Sequence, residues 1–145
     1  MSKSIPVIPV LLVALAIFFI VWFSSVSLAK AYEEDFWDLV YIIHAEAGNQ
    51  DLTGKKLVAD CVLNRVYDDR FPDTVHDVIF QPNQFSPVKD GGFERAKTTW
   101  TEEDYAAAID ECSDQIDYEI LYFCCGGYPK YGTPSYKYGD HYFSK

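Results

Sequence analysis

Glu46 is the residue with the clearest chemical potential. It follows the apolar run Tyr41-Ile42-Ile43 by way of His44 and Ala45, and the turn-prone Gly48-Asn49 comes just after it. On a helical wheel it falls between Leu39 and Ile42, at the edge of an apolar stripe. A carboxyl group set against two aliphatic side chains is disfavoured as an anion, so it holds its proton toward neutral pH. A protonated carboxylic acid facing a cleft is a general acid, the group that cleavage of a glycosidic bond uses. The same spacing also describes an ordinary, partly exposed glutamate near a helix terminus.

The other reactive side chains carry weaker patterns. His44 and Glu46 make an H-x-E pair, which zinc deaminases use together with a later P-C-x-x-C. Here Cys124 and Cys125 are adjacent, so that partner motif fails. His44, His76 and His141 have no spacing that demands a metal, and no metal or other cofactor is expected. A Cys-His peptidase needs a free thiolate beside a base. No G-x-S-x-G and no Gly-rich phosphate loop is present. Tyr128, Tyr131, Tyr136, Tyr138 and Tyr142 form an aromatic series interleaved with Lys130 and Lys137. Such rings suit stacking on sugars, but also packing within a hairpin.

The elements that must hold these residues are mostly helices. The spacing of Phe36, Val40, Ile43 and Ala47 predicts a helix over 33–47, closed by a left-handed cap at Gly48-Asn49. A second helix is expected over 52–68, begun by Asp51 or Thr53, with Val58, Cys61, Val62 and Arg65 on one side. Asp73 or Thr74 begins a short helix to Ile79. QPNQFSPVKDGG reads as a long exposed loop without regular structure. Thr101 through Asp104 resembles a capping box, opening a helix whose buried face is Tyr105, Ala108, Ile109 and Cys112. YEILYFCC, 118–125, reads as a strand, and a last short strand lies near 141–143. The sum is an α+β domain, mainly helical, with a small sheet.

Composition bounds the setting. The chain has 145 residues, 22 acidic against 12 basic, and a formal charge of −10. Nucleic acid is a poor partner, because phosphate neutralisation needs an excess of Lys and Arg. Residues 5–23 form an uncharged apolar block preceded by Lys3, and Ala29-Lys30-Ala31 resembles a small-x-small cleavage site. Residues 1–31 are therefore a signal peptide or a membrane anchor, and 32–145 are the working domain. Either reading places that domain outside the cytoplasm. In an oxidising compartment, Cys124 or Cys125 is expected to form a disulfide with Cys61 or Cys112.

Four segments resemble the SleB/CwlJ-type cell-wall hydrolase family, bacterial peptidoglycan lytic enzymes first associated with the spore cortex. They are HAEAGNQ (44–50), GKKLVADCVLNRV (54–66), RFPDTVHDVIFQPNQFS (70–86) and YGDHYF (138–143), in the family's order. The resemblance spans 36–143. It implies a lysozyme-like domain with a small antiparallel sheet. It also implies cleavage of the glycan strand between N-acetylmuramic acid and N-acetylglucosamine, with Glu46 at the position of the catalytic glutamate. Gln81, Gln84, Phe85 and Ser86 would form a wall of the substrate cleft, with Tyr131 a further substrate contact. His44, Asn64 and His141 would support the site. The expected reaction is that of a lytic transglycosylase with a single glutamate. A hydrolytic muramidase would need a second carboxylate, for which Asp51, Asp90 and Asp140 are candidates. A silent peptidoglycan-binding scaffold and a histidine-based metal amidase are the rivals from other classes. The expected partners are peptidoglycan glycan strands and, if the leader stays, the membrane.

Overall fold

A computed structural model describes the backbone of residues 7–145 and side chains from Leu12 onward. The chain forms two units, Met1–Glu34 and Asp35–Lys145. Helix α1, Val7–Ala47, contributes residues to both.

In the first unit the large apolar side chains from Leu12 to Leu28 are all 47–78% exposed. No charged side chain occurs between Leu12 and Ala29. The helix is long and apolar enough to cross a membrane, with a mean hydropathy of 2.4 over its best window.

In the second unit the last turns of α1 supply Leu39, Val40, Ile42, Ile43 and Ala47, each 0% exposed. Leu39, Val40, Ile42 and Ile43 share the main core cluster with Ala59, Val62 and Leu63 of α2, Leu52–Val66, whose N-cap is Asp51; its carboxylate accepts the Gly54 N–H at 2.9 Å. The expected one-sided burial of α2 is too narrow. Of residues 54–65, all but Lys56 are buried, so the helix runs through the centre of the domain. A central helix must also bury its polar residues, and Lys55, Asp60, Asn64 and Arg65 each need a partner inside.

Helix α3, Val75–Phe80, begins at Thr74, whose hydroxyl accepts the Asp77 N–H. The segment expected to be an irregular loop, 81–92, instead holds one short helix and ends on the first residue of a second. These are α4, Ser86–Asp90, with Pro87 in its first turn, and α5, Gly92–Thr99. Gly91 joins them at φ 79°, where only glycine is comfortable. Pro87 fits a first turn, where its missing N–H costs nothing, and composition alone hides that.

Helix α6, Glu102–Ser113, opens with the expected capping box of Thr101 and Asp104. Its buried face differs from expectation. Asp104, Ala107, Ala108 and Glu111 point inward, whereas Cys112 is exposed and Tyr105 and Ile109 are 36% and 42% exposed. The cause lies across the interface. Lys55 and Lys56 of α2 face α6, and Asp104 and Glu111 stand opposite them at 3.0 and 3.6 Å. Charge pairing therefore turns the helix.

The three strands are β1, Tyr122–Cys125, β2, Pro134–Tyr138, and β3, His141–Ser144, in the order β1-β3-β2 and all antiparallel. The first strand is shorter than expected. Asn64 Nδ2 donates to the carbonyls of Asp117 and Ile120, and Asp117 Oδ1 accepts the N–H groups of Glu119 and Ile120. Side chains therefore satisfy this backbone in place of a neighbouring strand. Phe143 and His141 of β3 face inward.

All four cysteines are free thiols, so the expected disulfide is not formed. Cys61 is sealed under the sheet with Leu57, Ile120 and Phe143, and its burial pushes the thiol's pKa up. Cys112, Cys124 and Cys125 are exposed, which leaves Cys61 without a second thiol in the core.

Candidate active site

Glu46 occupies the last turn of α1 and is half-buried. Its carboxyl is pushed up to about 7, first by burial and then by the negative charge of Asp90 on α4. The chain leaves the helix tightly: Gly48 N–H donates to the His44 carbonyl at 2.9 Å. Gly48 is not in the left-handed region, contrary to the expected cap. Glycine is needed there for closeness, because a Cβ would sit 2.6 Å from the His44 carbonyl oxygen.

Two further groups share this locality. The Cys125 thiol, at the end of β1, is pushed up by burial, then by Glu46, and more weakly by Asp140. Asp140 lies in the β2–β3 turn and accepts from Asn49 Nδ2 at 3.1 Å and Gln50 Nε2 at 2.9 Å. The sheet's hairpin is thereby clasped to the end of the helix that bears Glu46. Next to this clasp Gly139 has φ 53°, and a Cβ there would lie 1.8 Å from Gln50 Oε1.

The three carboxylates considered as a second acid separate by their bonds. Asp51 is held low, chiefly by the Gly54 N–H and also by the Tyr138 hydroxyl, 2.9 Å away. Asp140 is engaged by Asn49 and Gln50. Asp90 accepts the Gly92 N–H at 2.8 Å and has Arg95 Nη2 at 3.8 Å. Of the three, it is the one whose charge reaches Glu46.

His44 turns away from Glu46's carboxyl toward the helices that brace α1. Its Nδ1–H donates to Asp104 Oδ2 at 2.8 Å, and Nε2 stands 3.1 Å from the Thr99 hydroxyl. His141 is 2% exposed, stacks edge-on against Phe123 at 4.9 Å, and is held below its ordinary pKa by burial. Asn64 binds the 117–120 backbone at the far end of α2.

The wall residues divide. Phe85 is 3% exposed and lies in the core, with the Arg65 guanidinium 5.2 Å from its ring centre. Gln84 and Ser86 are exposed, and Gln84 Oε1 is 3.4 Å from Arg65 Nη1. Gln81 is half-buried, with its Oε1 buried and without a protein partner. Tyr131 is 66% exposed beside Tyr122, at the end of the sheet away from Cys125 and His141. The structure does not bring it to Glu46.

Two supporting residues escape the sequence reading. Arg65 is 4% exposed, donates to the Leu121 carbonyl at 2.7 Å, and sits among the rings of Phe71, Phe85 and Tyr122. Asp104, read only as a cap, also binds His44 and Lys55. Among the described residues no group of three or more His, Cys, Asp and Glu is arranged to hold a metal ion.

Comparison with known proteins agrees with this architecture. Residues 49–144 match the model of a family described as Cell Wall Hydrolase, a match that begins three residues after Glu46. The fold is similar to the catalytic domain of the germination-specific lytic transglycosylase SleB from Bacillus anthracis. That likeness has a TM-score of 0.65 and 28% identity, over 77% of this chain and 93% of that one. The catalytic domain of the Bacillus cereus SleB protein gives a TM-score of 0.67 and 28% identity, over 78% and 91%. A spore cortex-lytic enzyme of Oceanobacillus iheyensis is 37% identical over 68 residues, 46% of this chain and 25% of that protein. One from Halalkalibacterium halodurans is 36% identical over 59 residues, 41% and 18% of the two chains. The matched stretch thus spans a quarter or less of these curated relatives. The family match covers most of the second unit, and the chain belongs to the cell wall hydrolase family.

Proposed function

We propose that the domain from residue 35 onward cleaves the glycan strand of peptidoglycan between N-acetylmuramic acid and N-acetylglucosamine. The observation that carries this reading is the half-buried Glu46 carboxyl, which keeps its proton to about neutral pH. The likeness to SleB catalytic domains supports it. Glu46 gives its proton to the bridging glycosidic oxygen as the C1–O bond breaks. The resulting carboxylate then takes the proton of the muramic acid 6-hydroxyl while O6 bonds to C1. The sugar is released with a 1,6-anhydro end, no water is consumed, and Glu46 regains its proton.

A second reading is hydrolysis, which the nearness of Asp90's charge favours. A carboxylate on that side could orient a water toward C1. Mass analysis of the released muropeptides separates the two, since an anhydro end is lighter by one water. The expected product is the anhydro form, and solely hydrated ends would overturn the transglycosylase reading.

The same proton sets the pH response. Glu46 must be protonated to act as the acid, so kcat/KM falls as pH rises through about 7. Above that limb the fall approaches about tenfold per pH unit. Asp90→Asn removes a negative charge that favours the proton, so its basic limb lies at lower pH than the native one. An unmoved limb would show that Asp90 does not tune the acid.

The apolar segment of residues 12–28 fits a membrane anchor that holds the domain at the outer face of the cytoplasmic membrane. A cleaved leader would instead release it. N-terminal sequencing of the mature protein distinguishes these: an anchor retains residues 12–28.

A further inference from the structure

Two carboxyl groups outside the candidate active site face each other in the interior. Asp60 on α2 and Glu111 on α6 are 0% and 2% exposed. Each grips the segment 114–121 by a backbone N–H. Asp60 Oδ2 accepts from Asp117 at 2.9 Å, and Glu111 Oε2 accepts from Ile116 at 2.8 Å. Their remaining oxygens, Asp60 Oδ1 and Glu111 Oε1, are buried and have no protein donor. Two ionised carboxylates left so would repel each other and lack hydrogen bonds, whereas one proton between them answers both costs.

We propose that Asp60 and Glu111 share a single proton, and that this proton latches the strap 114–121 to the α2–α6 core. The strap leads into β1, and Asn64 and Gln115 complete its attachment: Asn64 Nδ2 holds the Asp117 and Ile120 carbonyls, and Gln115 Nε2 donates to Asn64 Oδ1 at 3.0 Å.

The groups around the pair come from every packed element. From α2 come Lys56, whose Nζ is 3.6 Å from Glu111 Oε1, and Cys61. From α6 come Cys112 and Asp110, the latter 2.7 Å from Lys56 Nζ. From the strap come Asp117 and Tyr118, and from β2 Tyr136, whose hydroxyl donates to Asp117 Oδ2 at 2.8 Å. Lys56 is the one cation among these and stabilises charge on Glu111. Burial, and then the hydrogen bond and charge of Glu111, hold Asp60 far above the ordinary carboxylate range.

The native state therefore binds a proton that the unfolded chain has already lost. The latch contributes fully below the ordinary carboxylate range, and its contribution declines as pH rises toward the raised value. Mildly alkaline conditions should open the strap.

The test uses the full chain in a nonionic detergent, followed by NMR from about pH 6 to about pH 9. Two readouts are taken: the Asp60 carboxyl carbon shift, and the protection of the Ile116 and Asp117 amides after correction for intrinsic exchange. The expected result is an Asp60 carboxyl that titrates within this range, with protection falling at least about tenfold across it. Asp60→Asn places a permanent donor toward Glu111, and protection in it should not change with pH. Glu111→Gln gives the reciprocal donor and serves if the first variant folds poorly. The latch is overturned by an Asp60 carboxyl that stays ionised throughout, by native protection that does not respond to pH, or by an equal fall in the variants.

Discussion

Glu46→Gln is expected to lower the release of soluble muropeptides from purified sacculi by about 10²–10⁴-fold, the contribution typical of a positioned general acid. Glutamine keeps the shape of the side chain and its capacity to donate a hydrogen bond. It has no proton to transfer to a leaving oxygen and cannot accept one from an attacking hydroxyl. Both halves of the proposed cycle are therefore lost together. The fold should not suffer. In the native protein burial and Asp90 both disfavour the ionised carboxylate, and an amide in its place carries no charge to desolvate. Turbidity loss and product analysis give the activity, and a thermal melt gives the stability. A variant that melts at or above the native temperature with native-like release would remove Glu46 from the mechanism.

Asp104→Ala is expected to be the most damaging single change to stability, at about 3–5 kcal/mol. The carboxylate is 0% exposed and serves three elements. Oδ2 accepts from His44 Nδ1 and from the Thr101 backbone and hydroxyl, each at 2.8 Å, while Oδ1 stands 3.0 Å from Lys55 Nζ. Burial alone would raise its pKa, yet these partners hold it below the usual carboxylate range. Removing it leaves Lys55, itself 2% exposed, with Glu103 alone as a partner, strips the Asp104 half from the α6 capping box and frees the His44 ring. A domain of this size has only about 5–15 kcal/mol of stability in total. Urea unfolding should show the loss directly, and a change within about 1 kcal/mol of native would refute the buried-network account. Because His44 lies two residues before Glu46, activity in this variant should decline before the domain unfolds.

The sequence made the scaffold legible where one local rule decided the outcome. Thr101 caps its helix as expected, and Asp51 and Thr74 are each one of the two candidates expected, because a short oxygen-bearing side chain before an apolar run can do little else so well. The half-buried setting of Glu46 was legible because its neighbours on the wheel are aliphatic. The errors share a different cause, which is partnership across the interior. The inward face of α6 follows Lys55 and Lys56, not its own apolar residues. The strand expected to begin at 118 gives way over 118–120 to side-chain bonds with Asn64 and Asp117. Arg65 falls on the expected inner side of α2, but nothing local shows that its guanidinium is buried among three aromatic rings drawn from distant segments. Each outcome depends on residues far apart in the chain, which no periodicity can pair. The cysteine expectation failed for a related reason: an even count of thiols says nothing about which of them point the same way.

The strand order carries a consequence for how the protein is made. β3 comes last along the chain, yet it is the strand with which both β1 and β2 pair. Until residues 141–144 have emerged, a nascent chain holds two lone strands and a helical cluster missing Phe143. Translation halted shortly before that point would yield a product with sticky β edges and no means of covering them, an early target for quality-control proteases.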